Sequence, residues 1–421
     1  MNEPSRSPSR VWVWYVCCLL LLATTINYMD RQTLANAASR VQADLGLNNE
    51  QYGQLEMWFA YAFGAGALLF GAIADKVGVR WLYPTVLLLW SVMGFATGFV
   101  ESFAGLLVCR TLLGLFESGH WPCALKTVQR LLPPRDRTMG NSILQSGTSI
   151  GAIATPLIMN WMLTDEPGSW RLVFQIIGGI GLFWIVLWFI AVREEPAGQP
   201  TVVDPSRKPV APLPLGLFIR RIIVLIVVVA TINACWHLFR AWLPKFLREG
   251  RGYSESAALQ FTSAFYVATD VGCILAGAAT LWLHRVGLAV IWARWFVFLL
   301  CSLLTTLSVV ISITPAGPWL MALLLAFGAG ALGLFPCYYS LSQELTVRHQ
   351  GKLTGVLGAV AWFSVAPLHP LFGEYIDRTK SYDLGVAIAG CLPLVGCLTW
   401  LLLWGMREQT ARHEAAADSH G

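Results

Sequence analysis

Apolar residues run along this chain in long blocks separated by short polar segments. A helix needs about 20 apolar residues to cross a bilayer. Twelve blocks meet that length, at roughly 12–38, 52–74, 81–100, 103–130, 138–163, 170–192, 218–243, 256–283, 289–313, 318–346, 353–375 and 384–406. The pattern predicts an all-α membrane protein of twelve transmembrane helices. The opening MNEPSRSPSR is short and polar, and the apolar run after it lacks a small-residue cleavage site. That run reads as the first span rather than a removed signal peptide. The one long interruption, 193–217, is rich in proline and charge and reads as an extended linker. It falls after the sixth span. The expected organisation is therefore a six-helix bundle over 1–192, a cytoplasmic linker over 193–217, and a second six-helix bundle over 218–421 that ends in a short cytoplasmic tail.

Composition strengthens this picture. Of 421 residues, 56% are hydrophobic and 13% charged, where soluble domains hold about 25% charged residues. Mean hydropathy is +0.59. The basic residues also orient the spans. With both termini in the cytoplasm, cytoplasmic segments and the adjoining span ends hold 18 of the 29 Lys and Arg, outer segments and their adjoining ends hold seven, and four lie deeper inside spans. This obeys the positive-inside rule, so the net charge of +5 does not argue for a nucleic-acid partner. The ten cysteines lie mostly within apolar runs, without CxxC or zinc-ligand spacing. HExxH and P-loop patterns are absent as well. No enzyme chemistry, metal or cofactor is expected.

An internal repeat marks the same division. After the second span comes Gly71-Ala-Ile-Ala-Asp75-Lys76-Val-Gly78-Val-Arg80. In this loop Gly71 is expected to let helices approach closely, Asp75 to cap a helix or pair across a cytoplasmic gate, and Gly78 to allow a tight turn. Lys76 and Arg80 would hold the loop inside. A worn copy follows the eighth span, from Gly277 through His284, Arg285 and Gly287 to Arg294, without the acid. Related loops at matching places in the two halves imply a duplication.

This pattern resembles the signature loop of the major facilitator superfamily, and the resemblance extends over nearly the whole chain. Finer details are similar to its organic anion/cation symporter branch, which includes hexuronate, galactonate and glucarate carriers. Those details are Ile26-Asn27-Tyr28-Met29-Asp30-Arg31 in the first span, Arg110 through Gly114 to Glu117 with Pro122 in the fourth, and Asn141 to Gly151 in the fifth. Trp242-Leu-Pro244-Lys245, Thr269-Asp270-Val-Gly272 and Phe372-Gly373-Glu374-Tyr375-Ile376-Asp377 add to them.

A charge at mid-bilayer costs about 2.5–3.5 kcal/mol on insertion scales, so a helix that keeps one is expected to turn it toward a wet cavity. Asp30, Arg31, Arg110, Glu117, Lys126, Arg240, Asp270 and Glu344 are such charges. Asp30 and Arg31 are adjacent, point about 100° apart, and must serve different neighbours. Arg110 and Glu117 stand seven residues apart on one helical stripe, roughly 10 Å along the axis, and each is free to meet a group on another helix, or a substrate between them. Lys126 is expected to snorkel or line an inner gate. Arg240 reads equally as a substrate contact or an outer-gate residue, and Asp270 and Glu344 as structural or gating groups. His237 and His369 read as hydrogen-bonded packing residues.

The resemblance implies roles. The helix 1 and helix 4 acids, Asp30 and Glu117, take and release protons. The arginines, Arg31 and Arg110, hold the substrate carboxylate or relay charge. Tyr28 and Gln145 line the cavity. The chemistry agrees in kind, because a proton site needs a carboxyl whose proton affinity responds to burial and to a nearby arginine. An anion site needs a planar donor that stays charged. The function implied is proton-coupled symport of a small organic anion, such as a hexuronate or aldonate, by a monomer in the cell inner membrane. An organophosphate/phosphate exchanger or a sodium-coupled anion carrier on the same fold stays open. Salt bridges that merely hold the first bundle together also remain open for the four charged residues. Two departures bear on substrate: Phe63 stands where similar carriers place a tyrosine, and His120-Trp121 follow the helix 4 acid where small residues are usual.

Overall fold

The structure is a computed structural model that describes residues 10–132, 137–192, 214–345 and 350–405. The expected linker falls mostly on 193–213, outside the described residues. The side chains of Asp75 and Glu344 also lie outside the description. The chain divides into two compact units, one of residues 1–47 and 54–208, the other of 48–53 and 209–421.

The first unit holds α1 (Arg10–Leu45), most of α2 (Asn49–Lys76), α3 (Val79–Thr97), α4 (Phe103–Glu117), α5 (His120–Leu131), α6 (Arg137–Met162) and α7 (Trp170–Ala191). The second holds α8 (Leu215–Lys245), α9 (Glu255–Arg285), α10 (Val290–Thr305), α11 (Leu307–Ile313), α12 (Pro318–Leu345), α13 (Gln350–Val365), α14 (Leu368–Thr379) and α15 (Asp383–Leu403). Helix is what so apolar a chain must form where water cannot satisfy its backbone. Local signals set the ends. Ser102 and Ser254 accept hydrogen bonds from Gly105 N and Ala257 N and so start α4 and α9. Gly46, at φ +65°, ends α1.

Among the described residues ten helices are long and apolar enough to cross a membrane, against twelve expected from the sequence. The difference has two causes. The expected span 103–130 breaks into α4 and α5, because Pro122 has no N–H for the carbonyl of Ser118 and its ring would clash there. The expected span 138–163 forms as α6, but Gln145, Ser146, Thr148 and Ser149 make it too polar to reach the same apolarity.

In lipid, helices associate by close packing rather than by the hydrophobic effect, which favours small residues at contacts. The first unit follows this rule. A Cβ added to Gly147 or Gly151 of α6 would come within 2.5 Å of Leu21 O or Thr25 O of α1. One added to Gly114 of α4 would meet Phe59 O of α2 at 2.6 Å. The Trp184 and Trp188 rings stack at 5.1 Å, and Trp184 Nε1 donates to Leu19 O. In the second unit α9 meets α12 through Gly272 and Gly328, and α15 meets α11 through Gly390. Asp377, which ends the FGEYID motif, accepts from Asn49 N and Nδ2 and from Glu50 N at 2.8–3.2 Å. Tyr382, outside the spans, donates to Glu249 at 2.6 Å. Burial, and then the Glu249 charge, push its phenol above the usual range.

The signature loop behaves differently from expectation at its glycines. A Cβ added at Gly71 would meet nothing within 4 Å among the described residues, so this glycine mediates no close helix approach there. Gly78 is extended, at φ −65° and ψ 139°, a conformation open to any residue. Lys76 is exposed. Arg80 lies 5.3 Å from the Trp81 ring, and its carbonyl accepts from Trp188 Nε1.

Candidate functional site

Three helices of the first unit bring their charged groups together. From α1 come Asn27, Tyr28, Asp30 and Arg31, from α2 Glu56, Phe59 and Phe63, and from α4 Arg110 and Glu117. Arg31 Nε donates to Glu117 Oε2 at 2.8 Å. Arg110 Nη2 donates to Glu56 Oε1 at 2.9 Å. The stripe on α4 thus places its two charges against two different helices, as seven-residue spacing allows.

Aromatic rings line both arginines. The Arg31 guanidinium lies 4.4 Å from the Phe63 ring centroid, 5.3 Å from Tyr28 and 5.8 Å from Phe59. The Arg110 guanidinium lies 4.2 Å from the same Phe59 ring. A cation over a ring face gains about 0.5–2 kcal/mol, more when water is excluded. Phe63 therefore contributes its ring to Arg31 even though it lacks a tyrosine hydroxyl.

Asp30 points elsewhere, as its adjacency to Arg31 requires. It lies against α3, where a Cβ on Gly94 would come within 3.1 Å of Oδ1. Its Oδ2, and both amide atoms of Asn27 one turn earlier, are buried without a hydrogen-bond partner among the described residues. Asp30 is 2% exposed, Arg31 4%, Arg110 2% and Glu117 0%. All four charges are thus buried, Arg31 against Glu117, Arg110 against Glu56 and Asp30 against α3, and do not face open water in this structure. An ionised group so placed is tolerated only when paired and hydrogen-bonded.

His120 borders the cluster at the break between α4 and α5. Its Nε2 faces Thr24 Oγ1 at 3.1 Å and its Nδ1 faces Tyr83 OH at 2.9 Å. Thr24 spends its single hydroxyl proton on Leu20 O. Nε2 must then be the donor to Thr24, and in the neutral ring Nδ1 accepts from Tyr83. The ring is fully buried and ties α1 to α3.

Other residues singled out from the sequence stand apart from the cluster. Gln145 is exposed on α6 and donates only within its own helix, to Thr148 at 3.4 Å. Lys126 donates to Ala74 O at the end of α2. Arg240 is buried in α8 of the second unit, where its Nε donates to His237 Nδ1 at 3.4 Å. His237 lies on the Trp362 ring at 4.4 Å, and His369 Nδ1 accepts from Trp242 Nε1. Both histidines have the packing roles expected of them.

The Major Facilitator Superfamily model matches residues 20–370. The chain belongs to that superfamily. Like other members of the major facilitator superfamily it is a transporter and not an enzyme, and it is a multi-pass membrane protein. It is 25% identical to a hexuronate transporter of Escherichia coli (strain K12), over 97% of this chain and 96% of that one. It is 27% identical to a probable sulfoacetate transporter of Cupriavidus necator, over 94% of each. Among solved structures, a bacterial homolog of the human lysosomal transporter Spinster superposes with a TM-score of 0.76 at 18% identity, covering 94% of this chain and 97% of that one. This last likeness shows the fold.

Sequence reasoning passes over Glu56. It sits near the start of the second span, where a charge is cheap, and no motif contains it. The usable signal is the stripe Glu56, Phe59, Phe63, which puts one acid and two rings on a single face of α2 at helical spacing.

Proposed function

We propose that this transporter is a proton-coupled symporter of a small organic anion, such as a hexuronate or aldonate. It works as a monomer in the cell inner membrane with both termini in the cytoplasm. The observation that supports this most directly is the buried Arg31–Glu117 pair, with a second buried acid, Asp30, next to Arg31 in α1. An arginine that always stays charged offers the planar donor a carboxylate needs. A carboxylate already occupying that arginine must leave before substrate binds, and taking up a proton weakens its hold. Protonation of Glu117 and Asp30 on the outside removes two negative charges and exposes Arg31 to the anion. After alternating access, proton loss on the inside restores the carboxylates, which compete for the arginine and expel the substrate. The relatives named for hexuronate and sulfoacetate transport support an anionic cargo. The basic bias of the cytoplasmic segments supports the orientation.

The test is Glu117→Gln in liposomes, with uptake of labelled D-glucuronate driven by an inward proton gradient. The variant should lose gradient-driven accumulation. Undiminished accumulation would end the proton role of Glu117.

A further inference from the structure

The cycle described above leaves Glu56 idle. Its carboxylate is 1% exposed, and it meets Arg110 through one N–H of the guanidinium. Arginine and carboxylate can make two parallel hydrogen bonds, but here Nε and Nη1 of Arg110 are both buried without a hydrogen-bond partner among the described residues. An unmet buried donor costs about 1–3 kcal/mol, and more when charged. A pair built only to hold α2 against α4 would gain by closing that geometry. An arginine that must receive a second anion keeps donors in reserve.

The surroundings repeat those of the first pair. Arg31 and Arg110 flank the same Phe59 ring, with guanidinium carbons 5.8 and 4.2 Å from its centroid. Each has one carboxylate within 2.9 Å. The charged groups gathered in this part of the unit are Arg110 and Glu117 on α4, Arg31 and Asp30 on α1, and Glu56 on α2. Gly114 holds α4 against the backbone of Phe59, one turn along from Glu56, so the pair is fixed on a rigid contact.

We infer that Glu56 is a further coupling acid. It holds Arg110 while the carrier is empty and yields that arginine to the substrate's anionic group only on accepting a proton. This rests on the organic-anion symport reading. In the empty carrier the Glu56 carboxylate cancels the Arg110 charge. Once Glu56 accepts a proton from outer water, the incoming anion cancels it instead. When the proton leaves on the inner side, the carboxylate returns to Arg110 and the anion departs. The pair stays neutral at every stage, which a low-dielectric interior demands. Glu56 acts through Arg110 and is a positioning residue.

The experiment uses the full-length protein in liposomes with labelled D-glucuronate and, separately, sulfoacetate. Wild type, Glu56→Gln and Glu56→Asp are each measured for proton-driven accumulation and for counterflow, which exchanges labelled for unlabelled probe without net proton movement. Glu56→Gln should lose accumulation by about tenfold or more, what one charge-assisted hydrogen bond is worth, while counterflow persists. Glu56→Asp keeps an acid and should keep accumulation with a displaced pH profile. Loss of accumulation and counterflow together in a Glu56→Gln protein that stays monodisperse would mark Glu56 as structural and overturn the proposal. Retention of both would overturn it equally. If Glu56→Gln does not fold, Glu56→Asp decides, and a wild-type pH profile there refutes the role. A wild type that moves neither probe sinks the symport reading itself, and the proposal with it.

Discussion

The pairing of Arg31 with Glu117 can be tested without a substrate. The contact is 2.8 Å long and both side chains are at most 5% exposed. Removing one partner of a buried pair leaves the other charge stranded and costs about 3–5 kcal/mol. Arg31→Gln and Glu117→Gln should each cost that amount. The double variant should lose less than the sum of the two, by a coupling of about 2–3 kcal/mol, the upper range for residues in direct contact. A unit of this size loses about 2–4 °C in melting temperature per kcal/mol. Each single variant should therefore melt roughly 6–20 °C lower, and the double variant roughly 4–12 °C above the temperature that additive losses would give. Tryptophan fluorescence of the purified protein in detergent reads this directly, since Trp184 and Trp188 lie inside the same unit. Additive losses, with a coupling below about 0.5 kcal/mol, would show that the two side chains do not pair. The exchange of carboxylate for substrate at Arg31 would then have no basis.

Three further outcomes follow. Changing His120→Phe keeps a ring in place but strands the Tyr83 hydroxyl and removes the donor to Thr24. It should cost about 2–4 kcal/mol, read as a lower melting temperature, and a neutral result would refute the assigned tautomer and bonds. Gly114→Ala puts a Cβ 2.6 Å from Phe59 O and should cost about 1–3 kcal/mol by overpacking. Gly71→Ala meets nothing and should stabilise by about 0.5–1 kcal/mol; the reverse order of the two melting temperatures would contradict the packing. Phe63→Tyr adds a hydroxyl to the ring beside Arg31 and should raise uptake of D-glucuronate relative to sulfoacetate by up to roughly tenfold. An unchanged ratio would place selectivity elsewhere.

The class of fold follows from the sequence alone, because long apolar blocks have only one economical backbone solution in a bilayer. Loop charge, the glycine-bearing loop after the second span, and acids and arginines retained inside apolar helices were legible for the same reason. Each is costly in lipid unless it has a purpose, so its presence is informative. Helical spacing also predicts that Asp30 and Arg31 serve different neighbours and that Arg110 and Glu117, too far apart to meet directly, are each free to meet other groups.

Partner choice was decided only in three dimensions. Nothing in the order of residues says that Glu117 takes Arg31, that Glu56 takes Arg110, or that one phenyl ring, Phe59, sits beside both guanidiniums. These depend on how closely α1, α2 and α4 approach, and that is set by side-chain-free surfaces such as Gly114. The break after Glu117 belongs to the same level: Pro122 suggests it, but the turn persists because His120 is anchored to Thr24 and Tyr83 on other helices. Sequence records which charges lipid would reject. Packing distance decides which of them neutralise each other, because ion pairing falls away within a few ångströms while a helix position in the sequence leaves its neighbours open.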